Sequence, residues 1–415
     1  MSQPERRLRI LFLSQYFPPE IGAPQIRMYE LAKRLHDAGD QVTVVTAFPN
    51  YPTGVFQDGY RRGFAMEEDM DGVRVLRRRH YATPNSGFFR RIANWLSFVV
   101  VSLTALRKVG PVDVIFVQSP PLTLGLAVLA FSRLKRAPFV FNVSDIWPES
   151  AVQLGILRNR SAIWLAERLE RHIYKRAARV TIPTPGILER LVSRGVPRDK
   201  LFLITNGVDV DVYQPRAPDA DLARGLGLDG HKIFLYAGTH GLSQGLDVIL
   251  EAAKRTRDPD ILYVLAGEGA DKDALVAKAK AENIGNVRFL PNQPKETMPR
   301  FLSLGYAAVI PLKPLDVFRS ALPSKMFESM AIGQPIVGSF WGEAANLVES
   351  AGCGIVTPPG DPAALEEAVE ALAADPDRAR SMGSKGREYV VEHFNRAKIA
   401  VQLRELLLEC ARPAG

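Results

Sequence analysis

Short apolar runs alternate with glycine- and proline-bearing loops and amphipathic stretches along most of the chain. Ile10-Leu11-Phe12-Leu13 has the length and continuity of a strand buried on both faces, followed by a Pro/Gly loop through Gly22 and a helical pattern to His36. Strands are predicted again at 41–46, 113–117 and 139–143, with a helix over 122–135 between the last two. A polar, Pro-bearing passage from Asn206 to Pro218 interrupts this series. A second series then begins, with strands predicted at 233–237, 261–266, 287–290, 307–311, 335–339 and 354–357 and helices at 246–257 and 365–374. From Arg378 to Ala411 the pattern is helical only. The expected fold is α/β: two tandem Rossmann-like, doubly wound domains over 1–207 and 208–394, facing across a cleft, with a C-terminal helical segment over 395–415.

Composition sharpens this picture at three points. The 415 residues are 47% hydrophobic and 24% charged, which excludes a disordered chain. Residues 1–200 hold 30 Lys/Arg against 17 Asp/Glu, whereas 201–415 hold 23 against 28, so a basic half precedes a mildly acidic one and the two are expected to meet different ligands. Two cysteines, Cys353 and Cys410, make no disulfide framework, and no Cys/His cluster has zinc spacing. The first seven residues lack the apolar core of a secretion signal. The uncharged stretch 92–106 is shorter than the roughly 18 to 20 residues needed to span a bilayer.

The chemistry concentrates in residues 318–337. Pro323 and Ser324 start a short helix, Gly333 closes it and Pro335 opens a strand. A helix start presents free N–H groups and about half a positive charge to an anion. Arg319 and Lys325 flank it, making a seat for a diphosphate, and Glu328 lies one turn inside, where it can accept from two ribose hydroxyls. Two glycine-bearing loops after predicted strands add to this edge: Tyr236-Ala237-Gly238-Thr239-His240-Gly241, and Leu265-Ala266-Gly267-Glu268-Gly269.

Together with Asn206-Gly207-Val208-Asp209 and Glu328-Ser329-Met330-Ala331-Ile332-Gly333-Gln334-Pro335, these loops resemble the GT-B glycosyltransferases of family 4, from about Ile10 to about Phe394. Phe17-Pro18-Pro19-Glu20-Ile21-Gly22-Ala23 and Asp145-Ile146-Trp147-Pro148-Glu149-Ser150 are similar to the bacterial surface-polysaccharide branch, which includes L-fucosamine transferases of O-antigen and capsule synthesis. The resemblance implies an N-terminal acceptor domain, a C-terminal donor domain, retention of anomeric configuration, a nucleotide-sugar donor, and neither a cofactor nor an obligatory metal. Read with the residues themselves, Gly238, Gly241, Gly267, Glu268, Arg288, Ser324 and Glu328 are expected at the donor, Gly22 and Glu149 at the acceptor, and Asp145, Arg319 and Lys325 in catalysis. Two departures stand out. Ser320 replaces a Glu common in the family, and Thr239 and Gln244 replace its Arg and Lys, so Arg319 and Lys325 are expected to neutralise the diphosphate.

In the first half, Asp145 follows a strand and is placed to orient the acceptor hydroxyl. Residues 88–101 combine aromatics, Arg90, Arg91 and a long apolar face, a pattern suited to an anionic membrane interface and to an acceptor carried on a polyprenyl diphosphate. The first βα turn, Ser14 to Pro19, has no G-x-G-x-x-G, which argues against a nicotinamide enzyme. No nucleic-acid module interleaves the basic residues. The resulting expectation is a retaining glycosyltransferase that moves an N-acetylated deoxyhexosamine from a UDP-sugar to a lipid-linked saccharide. Its place would be the cytoplasmic side of the membrane, held peripherally. Soluble acceptors and non-catalytic sugar-nucleotide binding are the alternatives.

Overall fold

A computed structural model describes residues 6–411 except 21, 52, 84–87, 154 and 156. The leaderless reading of the first residues rests mainly on 1–5, outside the described residues. The chain divides into two compact units, one running to Thr205 and resuming at Ala397, the other spanning Asn206–Arg396. Unit 1 is built on eight strands: β1 (Arg9–Leu13), β2 (Gln41–Ala47), β3 (Ala65–Met70), β4 (Val73–Arg78), β5 (Val114–Ser119), β6 (Phe139–Val143), β7 (Arg179–Ile182) and β8 (Leu201–Leu203). Their order is β3-β4-β2-β1-β5-β6-β7-β8, and every neighbouring pair is parallel except β3 with β4. β1 and β5 are buried along nearly their whole length because helices cover both faces, which is why they read as continuous apolar runs.

Four strands of this unit escaped the sequence pattern. β3 is an antiparallel edge that alternates exposed and half-buried positions and carries Glu67, Glu68 and Asp69, so it lacks an apolar signature. β4 buries Arg77 completely, with its guanidinium held by Glu68 and by the carbonyls of Ala47 and Pro18 and lying 5.1 Å from the Tyr60 ring centre. A charge at that position masks a core strand. β7 and β8 are only four and three residues long.

Unit 2 holds six parallel strands, β9 (Lys232–Ala237), β10 (Ile261–Ala266), β11 (Val287–Leu290), β12 (Ala307–Pro311), β13 (Ile336–Ser339) and β14 (Gly354–Thr357), ordered β11-β10-β9-β12-β13-β14. All six coincide with the apolar runs of the second half. Parallel pairing demands a crossover between strands, and the helices between them supply it.

Helix Phe88–Ser102 continues into a 3-10 turn, Leu103–Arg107. With the arginines at its ends, Arg90, Arg91 and Arg107, the continuous helical segment Phe89–Arg107, 19 residues, is long and apolar enough to cross a membrane by length and composition. Its inner face is nonetheless committed to the protein, with Phe98, Val99 and Ala105 in the core beneath the sheet.

The C-terminal helix Arg396–Cys410 packs Leu403, Leu406 and Leu407 into the core of unit 1. Its Arg404 donates to the fully buried Asp40 at 2.8 Å, while Asp40 also accepts from the Leu8 N–H at 2.9 Å. Arg404→Ala would leave a buried carboxylate without its cation. It is expected to destabilise unit 1 by about 3–5 kcal/mol, read as a lower urea midpoint.

Candidate donor and acceptor sites

In unit 2 the register aligns Ala237 with Ala266 and Ala266 with Leu290, so three strands end at one level and their loops share an edge. The loops interlock through backbone bonds: Gly238 N–H to Ala266 O at 2.9 Å, His240 N–H to Glu268 O at 2.9 Å, and Gly267 N–H to Leu290 O at 3.2 Å. A Cβ on Gly267 would stand 1.9 Å from Gly238 O, and Gly267 holds φ +147°, so loop packing alone requires glycine there. At Gly241 the nearest atom to a Cβ is Thr239 Cγ2 at 3.5 Å, an ordinary van der Waals contact. Gly267→Ala is expected to cost about 1–3 kcal/mol and Gly241→Ala less than about 0.5, a contrast measurable by chemical denaturation.

Helix Ser324–Ala331 is anchored by Met326, Phe327, Met330 and Ala331, all buried. Pro323 precedes it and supplies no side-chain cap. Gly333, at φ +78°, closes the turn beyond it. Lys325 and Glu328 share its other face, three residues apart. From this helix the Lys325 ammonium reaches across to the first glycine loop. It donates to Tyr236 Oη at 2.6 Å and to Gln244 Oε1 at 3.1 Å, and lies 3.8 Å from the Tyr236 ring centre. Tyr236 in turn donates to Thr239 O at 2.7 Å. Burial lowers the Lys325 pKa to about 7, opposed only by the charge of Glu328. A cation held without an adjacent carboxylate bond beside glycine loops and a helix start is well suited to an anionic ligand.

Other predicted residues are placed differently. Arg319 sits in a 3-10 turn with its guanidinium 4.0 Å over the Trp341 ring and 3.2 Å from Asp316, and its side chain is 53% exposed. The buried Ser320 hydroxyl turns back to Val317 O at 3.4 Å. Glu268 is ion-paired with Lys272 at 2.6 Å, and that ammonium also ties Gly267 O and Leu290 O together. The Arg288 side chain donates to Gly285 O at 2.9 Å and to Val287 O at 3.1 Å, at the amino end of β11.

Sequence reasoning passed over His240. It is fully buried, and neither ring nitrogen has a hydrogen-bond partner among the described residues. Burial, with Lys272 and Lys325 nearby, lowers its pKa to about 4, so the ring is neutral near pH 7. Within a polar loop such as Gly238–Ser243, burial of one member has no sequence signal.

In unit 1, Asp145 lies between β6 and helix Glu149–Gln153. Burial raises its pKa, opposed by hydrogen bonds from Ser150 and the Ile146 N–H, while Glu149 adds to the rise. Glu149 is occupied by Arg190 at 2.8 Å and Arg194 at 3.8 Å, and Arg194 also binds the buried Glu170 at 2.6 Å. Its carboxylate therefore ties the turn beside Asp145 to the end of helix Pro185–Ser193, which Arg194 links in turn to Glu170 of helix Arg160–Arg176. Gly22 precedes helix Ala23–Asp37 in extended backbone, and a Cβ there would meet Gln25 Oε1 at 2.4 Å. Glu20, two residues earlier, is buried and accepts from the Asn50 and Tyr51 N–H groups, both at 2.8 Å; burial lifts its pKa to about 7. Beneath Asp145, Asn142 accepts from Arg27 at 3.2 Å and from Thr181 at 3.0 Å and donates to Gln118 at 2.7 Å, a buried polar layer that the apolar pattern concealed.

Among the described residues no group of three or more His, Cys, Asp or Glu side chains is placed to hold a metal. The Asp209-Val210-Asp211 pattern forms a turn, with Asp209 Oδ1 accepting from the Asp211 N–H at 3.1 Å.

Comparison with known proteins matches residues 22–207 to a glycosyl transferase 4-like domain and residues 221–389 to the glycosyl transferases group 1. The chain is 27% identical over 380 residues to WcaI of Escherichia coli K12, described as a candidate colanic acid biosynthesis glycosyl transferase, covering 88% of this chain and 91% of that protein. It is 28% identical over 229 residues to the D-rhamnosyltransferase WbpZ of Pseudomonas aeruginosa, covering 55% and 58%. Its fold is similar to sucrose-phosphate synthase from Thermosynechococcus elongatus, with TM-score 0.78 at 21% identity over 97% of this chain and 99% of that one. It is also similar to Anabaena HepE in complex with UDP-glucose, with TM-score 0.74 at 18% identity over 97% and 100%.

Proposed function

The chain belongs to the GT-B glycosyltransferases of family 4, and from that premise we propose that it transfers an N-acetylated deoxyhexosamine from a UDP-sugar, with retention, to a lipid-linked saccharide in surface-polysaccharide synthesis. The observation that supports this best is the Lys325 ammonium held against the first glycine loop. Breaking the anomeric C–O bond leaves negative charge on the nucleoside diphosphate while positive charge grows on the sugar. A preorganised cation at the leaving oxygens stabilises that state by roughly 3 to 4 kcal/mol. Lys325 and the start of helix Ser324–Ala331 take the diphosphate in this reading, Arg319 adds charge from the preceding turn, and Glu328 accepts from the ribose hydroxyls. The acceptor hydroxyl attacks from the leaving-group side, and a phosphate oxygen receives its proton. Asp145 orients that hydroxyl, and Glu149 holds its turn in place.

WcaI, named for colanic acid synthesis, and WbpZ, named as a D-rhamnosyltransferase, support the polysaccharide setting. The enzyme then acts on the cytoplasmic side of the membrane as a peripheral protein. A thermal-shift series with UDP-, GDP-, ADP- and TDP-sugars tests the donor. A ligand at a hundred times its Kd adds about 2.7 kcal/mol of stability, so the UDP-sugar is expected to raise Tm clearly above the others. A shift with a GDP-sugar and none with UDP-sugars would overturn the donor assignment. Label passing from the UDP-sugar into organic-extractable lipid tests the acceptor.

A further inference from the structure

Helix Pro376–His393 and the segment 215–218 wall a cavity of about 830 Å³ in unit 2, with Gly305-Tyr306 and Gln334-Pro335 at its floor. Those two pairs lead into the amino ends of β12 and β13, which run parallel to β9 and β10. The cavity therefore lies at the opposite end of the sheet from the glycine loops, and none of the residues assigned to donor or acceptor lines it. Its wall is set by backbone packing. At Gly383 a Cβ would stand 2.0 Å from Gly333 O, so the helix closes directly on the turn at the cavity floor. A cavity of this volume accepts a small molecule.

Three arginines and one carboxylate line it, and their engagement differs. Arg380 is exposed and ion-paired with Asp377. Arg216 is exposed and has no hydrogen bond or ion pair among the described residues. Arg387 donates to the carbonyls of Tyr213 and Ala331, each at 2.7 Å, and of Val210 at 3.0 Å, and to no carboxylate among the described residues. Its guanidinium has more N–H donors than those three bonds use. Gln334, 4% exposed, spends both amide hydrogens on Leu302 O and Gly305 O, each at 2.7 Å. Those bonds fix Oε1 as the acceptor, and it has no partner among the described residues.

From the free cation of Arg216, the uncompensated guanidinium of Arg387 and the unpaired oxygen of Gln334, we infer that this cavity is a binding site for a monosaccharide phosphate, separate from the donor and acceptor sites. A phosphate takes guanidinium N–H groups in pairs and supplies the negative charge that Arg216 and Arg387 lack. Sugar hydroxyls donate to Gln334 Oε1 and to the exposed carboxylate of Glu388. Pro215, Pro335 and the half-buried Tyr306 ring offer apolar surface to the C–H face of the sugar. Glu388 repels a bare anion, so both parts of the ligand are needed.

Calorimetric titration of the full chain with glucose 6-phosphate, at millimolar concentration and constant ionic strength, tests this against glucose and inorganic phosphate. Glucose 6-phosphate is expected to bind at one site, and each of the other two probes about tenfold more weakly or less well still. Arg216→Ala removes an exposed side chain and is expected to weaken glucose 6-phosphate about tenfold at unchanged Tm. Ser384→Trp, at an exposed position on the helical wall, is expected to block it by filling space, again at unchanged Tm. Lys325→Met, at the other end of the sheet, is expected to leave it intact. No wild-type binding of glucose 6-phosphate overturns the inference, as does equal affinity for inorganic phosphate or binding that survives both Arg216→Ala and Ser384→Trp. Loss of binding in Lys325→Met also overturns it, since the ligand would then occupy the donor site. The outcome is independent of the proposed donor: a failed thermal shift with UDP-sugars would leave this titration unaffected.

Discussion

Lys325→Met is expected to lower kcat by about a hundredfold to a thousandfold, with a smaller effect on the acceptor KM, in a radiolabel transfer assay. Methionine keeps most of the side-chain length and apolar stem while removing the charge, so the helix and the Tyr236 contact to Thr239 O should persist. The effect is expected to be large because the usual cations of the loop are absent, Thr239 and Gln244 standing in their places. Arg319→Ala is expected to cost about tenfold or less, since that guanidinium is half exposed and already engaged by Trp341 and Asp316. A Lys325→Met enzyme with near wild-type kcat would remove this residue from the reaction.

The same lysine sets a pH dependence. In the free protein its pKa is lowered to about 7, so near neutrality the ammonium and the amine are comparably populated. A diphosphate favours the ammonium and raises the pKa of the complex, so donor binding takes up a proton. Affinity is therefore expected to be full below pH 7 and to weaken above it, approaching tenfold per pH unit until the pKa of the complex is reached. Calorimetry in buffers of different ionisation enthalpy reads that proton directly, and Lys325→Met should abolish it.

How far these assignments were visible in the sequence depends on how local each one is. The inner strands of unit 2, β9, β10, β12 and β13, are largely buried apolar runs because both sheet faces are covered, and a helix start at Pro323-Ser324 is a local signal. β3 and β4 were hidden because an edge strand tolerates Glu67 and Glu68, and because the buried Arg77 looks like a surface charge until its partners are known. The loss of loop cations appeared as a departure at positions 239 and 244. Its remedy is three-dimensional: Lys325, 81 residues beyond Gln244, brings its ammonium to Gln244 Oε1. No spacing rule predicts that contact. The burial of His240 and the commitment of Glu149 to Arg190 and Arg194 likewise depend on side-chain direction and on partners from other elements.

Glu328→Ala is expected to have the second large effect, a loss of about a hundredfold in donor affinity with little change in fold stability. Two hydrogen bonds from ribose hydroxyls to a carboxylate, at roughly 1.5 kcal/mol each, account for that size. Glu328 is half-buried on the outer face of its helix, while Met326, Phe327 and Met330 carry the packing, so its removal opens no core cavity. The carboxylate has a second effect through Lys325, whose pKa it raises. Glu328→Ala and Glu328→Gln therefore both lower that pKa, and the pH above which donor binding weakens should move to a more acidic value. Glutamine retains one acceptor oxygen, so its affinity loss should be smaller than that of alanine while its pH shift is similar. That split distinguishes ribose recognition from electrostatic support. If Glu328→Ala kept a wild-type thermal shift with the donor, Glu328 would not contact the nucleotide, and the ribose would have to be held by another group.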